Sequence, residues 1–239
     1  MRIVLLGYGK MGKVIERIAQ ERGHEIVGRI DETNRESFSE FSPATADVVI
    51  EFSHPSAALQ NLKDSIGQGL PTVCGTTGWL EHRSEIEALT AKTSGAFFYA
   101  SNYSIGVNLF FRINKRLAKL ISPYPQYSVE MTEIHHIHKL DAPSGTAITL
   151  AEGILETNDR LSQWVLEEGD GQTTLPIHAV REGEVPGTHI VTYQSEVDSI
   201  EIKHTAHNRQ GFALGAVVAA EWLVGKVGVF GMDDLLGEE

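Results

Sequence analysis

With one cysteine, Cys74, the chain has no partner for an internal disulfide, and thiol usage this sparse fits a reducing, cytoplasmic setting. The nearby residues Leu70 and Val73 are apolar, which predicts a buried, inert thiol rather than a nucleophile. Long apolar runs are missing too. The run from Ile3 to Leu6 stops at Gly7, so neither a membrane-spanning helix nor a signal peptide is expected. Basic residues are the minority: 20 Lys and Arg against 32 Asp and Glu give a formal charge of −12, with no basic block. Nucleic acid and anionic membranes both select clustered cations, so neither is an expected partner. An anionic small molecule remains open, because a few local cations can govern one pocket. There is no repeat and no low-complexity stretch. At 239 residues the chain can bury a full core and hold one large or two modest domains.

What is present begins with a nucleotide-binding pattern. Arg2 to Leu6 is a short, nearly continuous apolar strand of the kind buried on both faces of a parallel sheet. It runs into Gly7-Tyr8-Gly9-Lys10-Met11-Gly12, a full G-x-G-x-x-G, and then into Val14, Ile15, Ile18 and Ala19 at helical spacing. Strand, glycine turn and helix are the context that this fingerprint requires. The glycines allow a tight turn and close backbone approach, and the helix N-terminus meets a pyrophosphate. A second strand, His24 to Ile30, ends in Asp31 and Glu32, where a carboxylate can accept hydrogen bonds from an adenosine ribose.

The βα alternation continues through strands at 47–52, 71–74 and 96–100, with helices between them. Two of these strands end in small or polar loops, Gly75-Thr76-Thr77-Gly78 and Ala100-Ser101-Asn102-Tyr103-Ser104. Ligands of open parallel sheets bind at such strand ends, so these loops are candidate cofactor contacts, although Thr76 and Thr77 seen alone fit ordinary turn chemistry equally well. Ile105 to Ile121 is an amphipathic helix, and Tyr127 to Ile134 alternates as a strand. Further strands are expected near 175–180, 189–194 and 199–204, and a last helix over 212–224. Strands in succession without helices between them point to a mixed or antiparallel second sheet. The fold class is therefore α/β: a Rossmann-like doubly wound parallel sheet with a second α+β mixed-sheet substrate domain.

The richest chemistry lies in EIHHIHKLDAPSGTA, from Glu133 to Ala147. His135, His136, His138, Lys139 and Asp141 fall within seven residues, followed by a turn that opens a helical pattern. Histidine passes protons near neutral pH, and lysine and a helix start can each hold an anion. Ser144 can cap the helix, and Gly145 leaves room for a ligand at the first backbone N–H groups. A polar loop on a strand end is the plain alternative. His135, His136 and His138 could also be read as zinc ligands, but no distant cysteine or acidic partner is marked, and no metal is expected. A Ser/His/Asp hydrolase lacks its G-x-S-x-G elbow.

This segment, the glycine fingerprint, the GTTG loop at 75–78 and the Ala-x-Asn-Tyr-Ser stretch at 100–104 together resemble the 4-hydroxy-tetrahydrodipicolinate reductase (dihydrodipicolinate reductase) family. The resemblance implies NAD(P)H-dependent reduction of 4-hydroxy-tetrahydrodipicolinate, via dihydrodipicolinate, to tetrahydrodipicolinate in lysine and diaminopimelate synthesis. It implies that His135 is the acid/base group and Lys139 a proton donor. His136, Gly145 and Thr146 match substrate-binding positions, and a homotetramer is implied. The GTTG and Ala-x-Asn-Tyr-Ser loops would border the nicotinamide. The last helix and tail would return to the first half, giving a dinucleotide-binding domain of 1–104 plus 210–239 and a substrate-binding and oligomerisation domain of 105–209, with crossings near Ser104 and Arg209 to Gly211.

One departure stands out. The family's usual first loop is G-A-x-G-R-M-G, whereas this chain has G-Y-G-K-M-G, one residue shorter and with Lys10 for the arginine. Asp31 and Glu32 favour NADH over NADPH, since a carboxylate welcomes a 2′-hydroxyl and repels a 2′-phosphate. Lys10, Arg29 and Arg35 weigh the other way, so NADPH stays possible. Another NAD(P)-dependent oxidoreductase of a carbonyl or imino acid, and a non-catalytic dinucleotide sensor, are the remaining alternatives.

Overall fold

The computed structural model describes residues 1–208 and 210–237; the crossing expected at Arg209 and the last two residues, Glu238 and Glu239, lie outside the described residues. The chain divides into two compact units, residues 1–105 with 210–237 and residues 106–208.

The first unit alternates strand and helix. It runs through β1 (Arg2–Leu6), α1 (Lys10–Glu21), β2 (Glu25–Ile30), β3 (Val48–Glu51), α2 (Pro55–Gly67), β4 (Thr72–Cys74), α3 (Arg83–Thr93) and β5 (Ala96–Tyr99). Apolar residues occupy consecutive positions in these short strands because both faces are covered. Ile3 and Leu5 pack with Ile15 and Ile18 of α1, while Val4 and Leu6 pack with Ile30 and Phe38 on the other side. Phe98 and Phe97 divide the same way, the latter against Leu62 and Trp79.

The second unit contains most of α4 (Ile105–Ile121), then β6 (Ser128–His135), α5 (Gly145–Leu155), β7 (Gln163–Leu166), β8 (Thr174–Arg181), β9 (Gly187–Gln194) and β10 (Ser199–Ala206). Its sheet has the order β10-β9-β6-β8-β7. β9 is antiparallel to β6 and β10, and β8 is parallel to β6 and β7, so the sheet is mixed. Its core joins Phe110 and Ile121 of α4 and Leu150 and Ile154 of α5 to Val129, Met131 and Val191 of the sheet.

The chain then returns to the first unit through α6 (Gln210–Leu223), β11 (Gly228–Phe230) and α7 (Met232–Leu236). β11 pairs in parallel with β5, completing a parallel sheet of order β11-β5-β4-β3-β1-β2. The doubly wound parallel sheet and the mixed second sheet are both as anticipated. β7 and β11 are additions: both are short, and pairing with β8 and β5 rather than sequence pattern makes them strands. A 3₁₀ turn at Arg35–Glu40 is also new, and it buries Phe38.

α6 lies close to the 100–104 loop because its small residues allow it. A Cβ on Gly215 would sit 1.7 Å from the carbonyl oxygen of Tyr103, a distance that only displacement relieves. Gly215→Ala is therefore expected to cost about 1–3 kcal/mol, read as a melting temperature lower by several degrees. A variant melting with the parent would show that α6 and Tyr103 stand far enough apart to admit a methyl group.

Candidate active site

The glycine loop is packed from behind and open in front. A Cβ on Gly7 would lie 2.0 Å from the carbonyl oxygen of Phe52, and one on Gly12 would lie 2.4 Å from that of Gly7. At Gly9 nothing lies within 4 Å of the added atom. Gly9 also precedes α1 without any side-chain cap, so the first N–H groups of that helix are offered to a ligand. The loop borders a cleft of about 1000 Å³ in the first unit, lined also by Tyr8, Asp31, Thr33 and Ser53.

Asp31 is fixed as an anion in this cleft. Its Oδ1 accepts from the Thr33 hydroxyl at 2.6 Å and the Thr33 N–H at 2.8 Å, which holds the carboxyl below its ordinary value. No donor among the described residues engages Oδ2. Of the cations weighed against it, Arg35 donates to Asn61 at 2.8 Å and pairs with Asp64, and Arg29 pairs with Glu16. Lys10 is exposed. An uncapped helix start behind an open glycine, with an ionised carboxylate at the end of β2, fits a dinucleotide.

The two loops expected near the nicotinamide divide their labour. Thr76 is buried, its hydroxyl accepting from the Ser53 N–H at 2.8 Å and its carbonyl from the Trp79 indole at 2.7 Å. Tyr103 is buried too, with its hydroxyl donating to the Cys74 carbonyl at 2.7 Å. Their side chains hold the loops in shape. Thr77 and Ser101 are exposed, Gly75 and Asn102 half-buried, Ala100 buried, and Met11 packs on the α1 core. Cys74 is buried, and burial together with the Glu51 carboxylate raises its thiol far above the ordinary value, as an inert cysteine requires.

In the second unit, the apolar row Val129–Met131 on β6 continues with Glu133 and His135 on the same buried face. Glu133 has no exposed surface, and its charge is compensated on both oxygens. Oε2 accepts the Ser144 N–H at 3.0 Å, and Oε1 accepts from the Arg181 guanidinium at 3.1 Å. Burial opposes ionisation, but the bonds from Ser144 and Arg181 outweigh it and hold the carboxyl below its ordinary value. The Ser144 hydroxyl in turn accepts the Ala147 N–H at 3.2 Å, capping α5. Strand end and helix start are thus joined through one carboxylate.

Around this joint lie two buried histidines. His135 Nδ1 is 3.5 Å from Glu133 Oε2, and His189 Nε2 is 3.8 Å from the same oxygen. Their rings meet edge to face with centroids 5.1 Å apart, and His189 shares a hydrogen bond of 3.2 Å with the Ser144 hydroxyl. Burial lowers the basicity of His135, and Glu133 partly offsets this. Gly187 leaves the ring its place: a Cβ there would stand 3.1 Å from His135 Nε2. Lys139 is clamped to Asp141 at 2.7 and 2.8 Å, and its charge reaches His135. His138 faces Glu184 at 3.1 Å and is exposed. Gly145 and Thr146 form the first turn of α5, where N–H groups have no intrahelical acceptor.

Two family models match the chain, the dihydrodipicolinate reductase N-terminus over residues 1–103 and the C-terminus over residues 106–236. A 4-hydroxy-tetrahydrodipicolinate reductase of Christiangramia forsetii is 51% identical over 239 residues, covering 100% of this chain and 98% of that protein. The chain belongs to the dihydrodipicolinate reductase family. A second 4-hydroxy-tetrahydrodipicolinate reductase, from Methanoregula boonei, is 32% identical over 254 residues, covering 100% of this chain and 98% of that protein. Among solved structures, a dipicolinate-bound dihydrodipicolinate reductase from Paenisporosarcina sp. TG-14 shares the fold with a TM-score of 0.77 at 22% identity, covering 98% of this chain and 99% of that one. As a member of this reductase family the chain is an NAD(P)H-dependent oxidoreductase.

The buried cluster contains three residues that the sequence pattern did not single out: Glu133 as a buried anion, Arg181 and His189. Sheet register assembles them. Glu133 lies opposite His189 on β9, and His135 opposite Arg181 on β8. One local signal existed, since a Glu two residues before a His on a strand shares its face. Glu133, His135 and His189 also each offer a metal-ligand atom within 4.8 Å of the others, a different grouping from the three clustered histidines. Both oxygens of Glu133 are already taken, one by a guanidinium, and a cation there would face Arg181. The donor set does not fit a resident metal.

His189 gives the unit a pH dependence. Burial, then the neighbouring His135 charge, lower it from 6.5 to about 4. Between those values the unfolded chain binds a proton that the folded chain refuses, so stability falls as pH drops through this window. His135 and His204, also lowered by burial, act in the same sense. The urea midpoint should therefore fall from neutral pH towards about 4, and less steeply in His189→Asn. An unchanged slope in that variant would remove His189 as a source.

Proposed function

We propose that this chain reduces 4-hydroxy-tetrahydrodipicolinate, via dihydrodipicolinate, to tetrahydrodipicolinate, the step that its family carries out in lysine and diaminopimelate synthesis. The observation that carries the residue-level reading is the Glu133 joint, which brings a buried histidine, a clamped lysine and the Gly145 and Thr146 N–H groups of a helix start onto one short segment. Gly7, Gly9 and Gly12 with the start of α1 hold the dinucleotide pyrophosphate, and Asp31 holds the adenosine ribose. When bound, the nicotinamide supplies the hydride. Gly145 and Thr146 direct N–H groups to one carboxylate of the heterocyclic substrate, and His136 is a further substrate-binding residue. His135 is the acid/base group, and Lys139 delivers the proton that the electron-rich carbon takes after hydride addition. Asp141 orients Lys139 and is not consumed. A cytoplasmic homotetramer is part of the same proposal.

His135→Gln is expected to lower kcat by about 10²–10⁴, with nucleotide affinity unchanged, as loss of a positioned general acid should. Near-parental turnover would move the acid role elsewhere, with His136 next in line.

The same reading favours NADH. The ionised Asp31 faces the cleft, while Arg29 and Arg35 are committed to carboxylates. A preference of about ten- to thirty-fold in kcat/KM, about 1–2 kcal/mol, is expected. An NADPH preference would show that Lys10 governs the pocket.

A further inference from the structure

The first glycine loop departs from its family's pattern at Tyr8 and Lys10, and Tyr8 is where this structure places an interaction of its own. The Tyr8 hydroxyl donates to Oε2 of Glu16 on α1. The other oxygen, Oε1, accepts from Arg29 through both Nε, at 2.9 Å, and a terminal nitrogen. Glu16 is 13% exposed and Arg29 42% exposed, so a well-packed carboxylate holds a guanidinium that has room to move. The guanidinium carbon lies 5.9 Å from the centre of the Tyr8 ring. Tyr8 and Asp31 line the cleft, and Arg29 is not among its lining residues.

Arg29 is exposed near the end of β2 and stands two residues before Asp31, which directly follows the last residue of that strand. Two residues along a strand span roughly 7 Å, within the reach of an extended arginine. Left to itself, such a guanidinium would pair bidentately with a phosphate on the ribose that Asp31 contacts. We infer that Glu16 is a specificity-determining residue: by binding Arg29 and Tyr8 together it withholds that arginine from an adenosine 2′-phosphate, and so sets the chain against NADPH. The inference rests on the reading that the cleft takes the adenosine end of the dinucleotide. Lys10 is exposed and is not among the partners of Glu16, so removing Glu16 frees Arg29 and Tyr8 but not Lys10.

The test is equilibrium binding of NADH and NADPH, followed by nicotinamide fluorescence, to the parent, Glu16→Gln, Glu16→Ala and the double variant Glu16→Ala/Arg29→Ala. The NADPH-to-NADH affinity ratio should rise about tenfold or more in Glu16→Ala, rise less in Glu16→Gln, and return towards the parent in the double variant. NADPH binding to Glu16→Ala should also weaken more steeply with salt than in the parent. Both nucleotides weakening equally would overturn the inference, since Glu16 would then only shape the loop; a ratio raised as much in the double variant would overturn it too. A parent that binds neither nucleotide would instead remove the underlying reading of the cleft.

Discussion

The second unit depends on one buried charge. Glu133 sits where the strand pattern calls for an apolar residue, at the end of the row Val129–Met131, with no exposed surface. An isolated carboxylate in such a place would take up a proton rather than stay charged. It stays charged because a helix N-terminal N–H and an arginine from the adjacent strand both reach it. The consequence is geometric. β6 and α5 are separated by an irregular loop, residues 136–144, yet their ends are tied together by Glu133 and Ser144. Arg181 adds a second tie by donating to the Asp141 carbonyl at 2.7 Å. The histidines and lysine of that loop are thus anchored at both ends, and proton transfer needs groups held to within fractions of an ångström.

The first unit meets the opposite demand. A dinucleotide loop needs backbone with no side chain in the way, and the glycines supply it in two different ways. Gly7 and Gly12 are compelled by packing, whereas Gly9 faces open space. This separates two reasons for a glycine that the fingerprint alone merges: two make the turn possible, and one leaves room for the ligand. Asp31 follows the same economy. Two Thr33 donors engage one carboxylate oxygen and hold the group ionised, so the second oxygen is presented in a fixed direction.

The fold was largely legible because its signals are local. The strand–glycine–helix start, the apolar runs buried on both faces and the switch from alternating elements to successive strands each follow from residues a few positions apart. β7 and β11 were not legible, because at four and three residues they carry no period and exist through their neighbours. At the site, the helix cap at Ser144 could be read from P-S-G-T. Arg181 and His189 could not, since the registers that bring them beside Glu133 and His135 join positions 46 to 56 residues apart. Thr76 and Tyr103 show the converse: the motif was visible, but only packing reveals that their side chains point into the interior and support the loop.

Both units place their least comfortable residues where ligand chemistry is expected, and this pattern separates function from packing. A Glu and two His in a core row cost more than the Leu or Val that would fill the same volume, and replacing buried ion pairs by apolar residues is often neutral or stabilising. His189 makes the cost explicit: it is held neutral against its own basicity, which takes stability from the unit in mildly acidic conditions. Glu51 repeats the theme in the first unit, a fully buried carboxylate at the end of β3 that accepts from Ser53, Asn61 and the Cys74 thiol. Ser53 lines the cleft of the first unit, and its N–H holds Thr76 in the neighbouring loop. In each unit, then, a buried acid at the carboxyl end of a strand organises the loops that follow. Conflicts between local rules and global packing are expected at functional sites and are offset elsewhere in the fold. Here the offset is visible in the apolar residues that precede each acid on its strand, Val48 to Ile50 before Glu51 and Val129 with Met131 before Glu133.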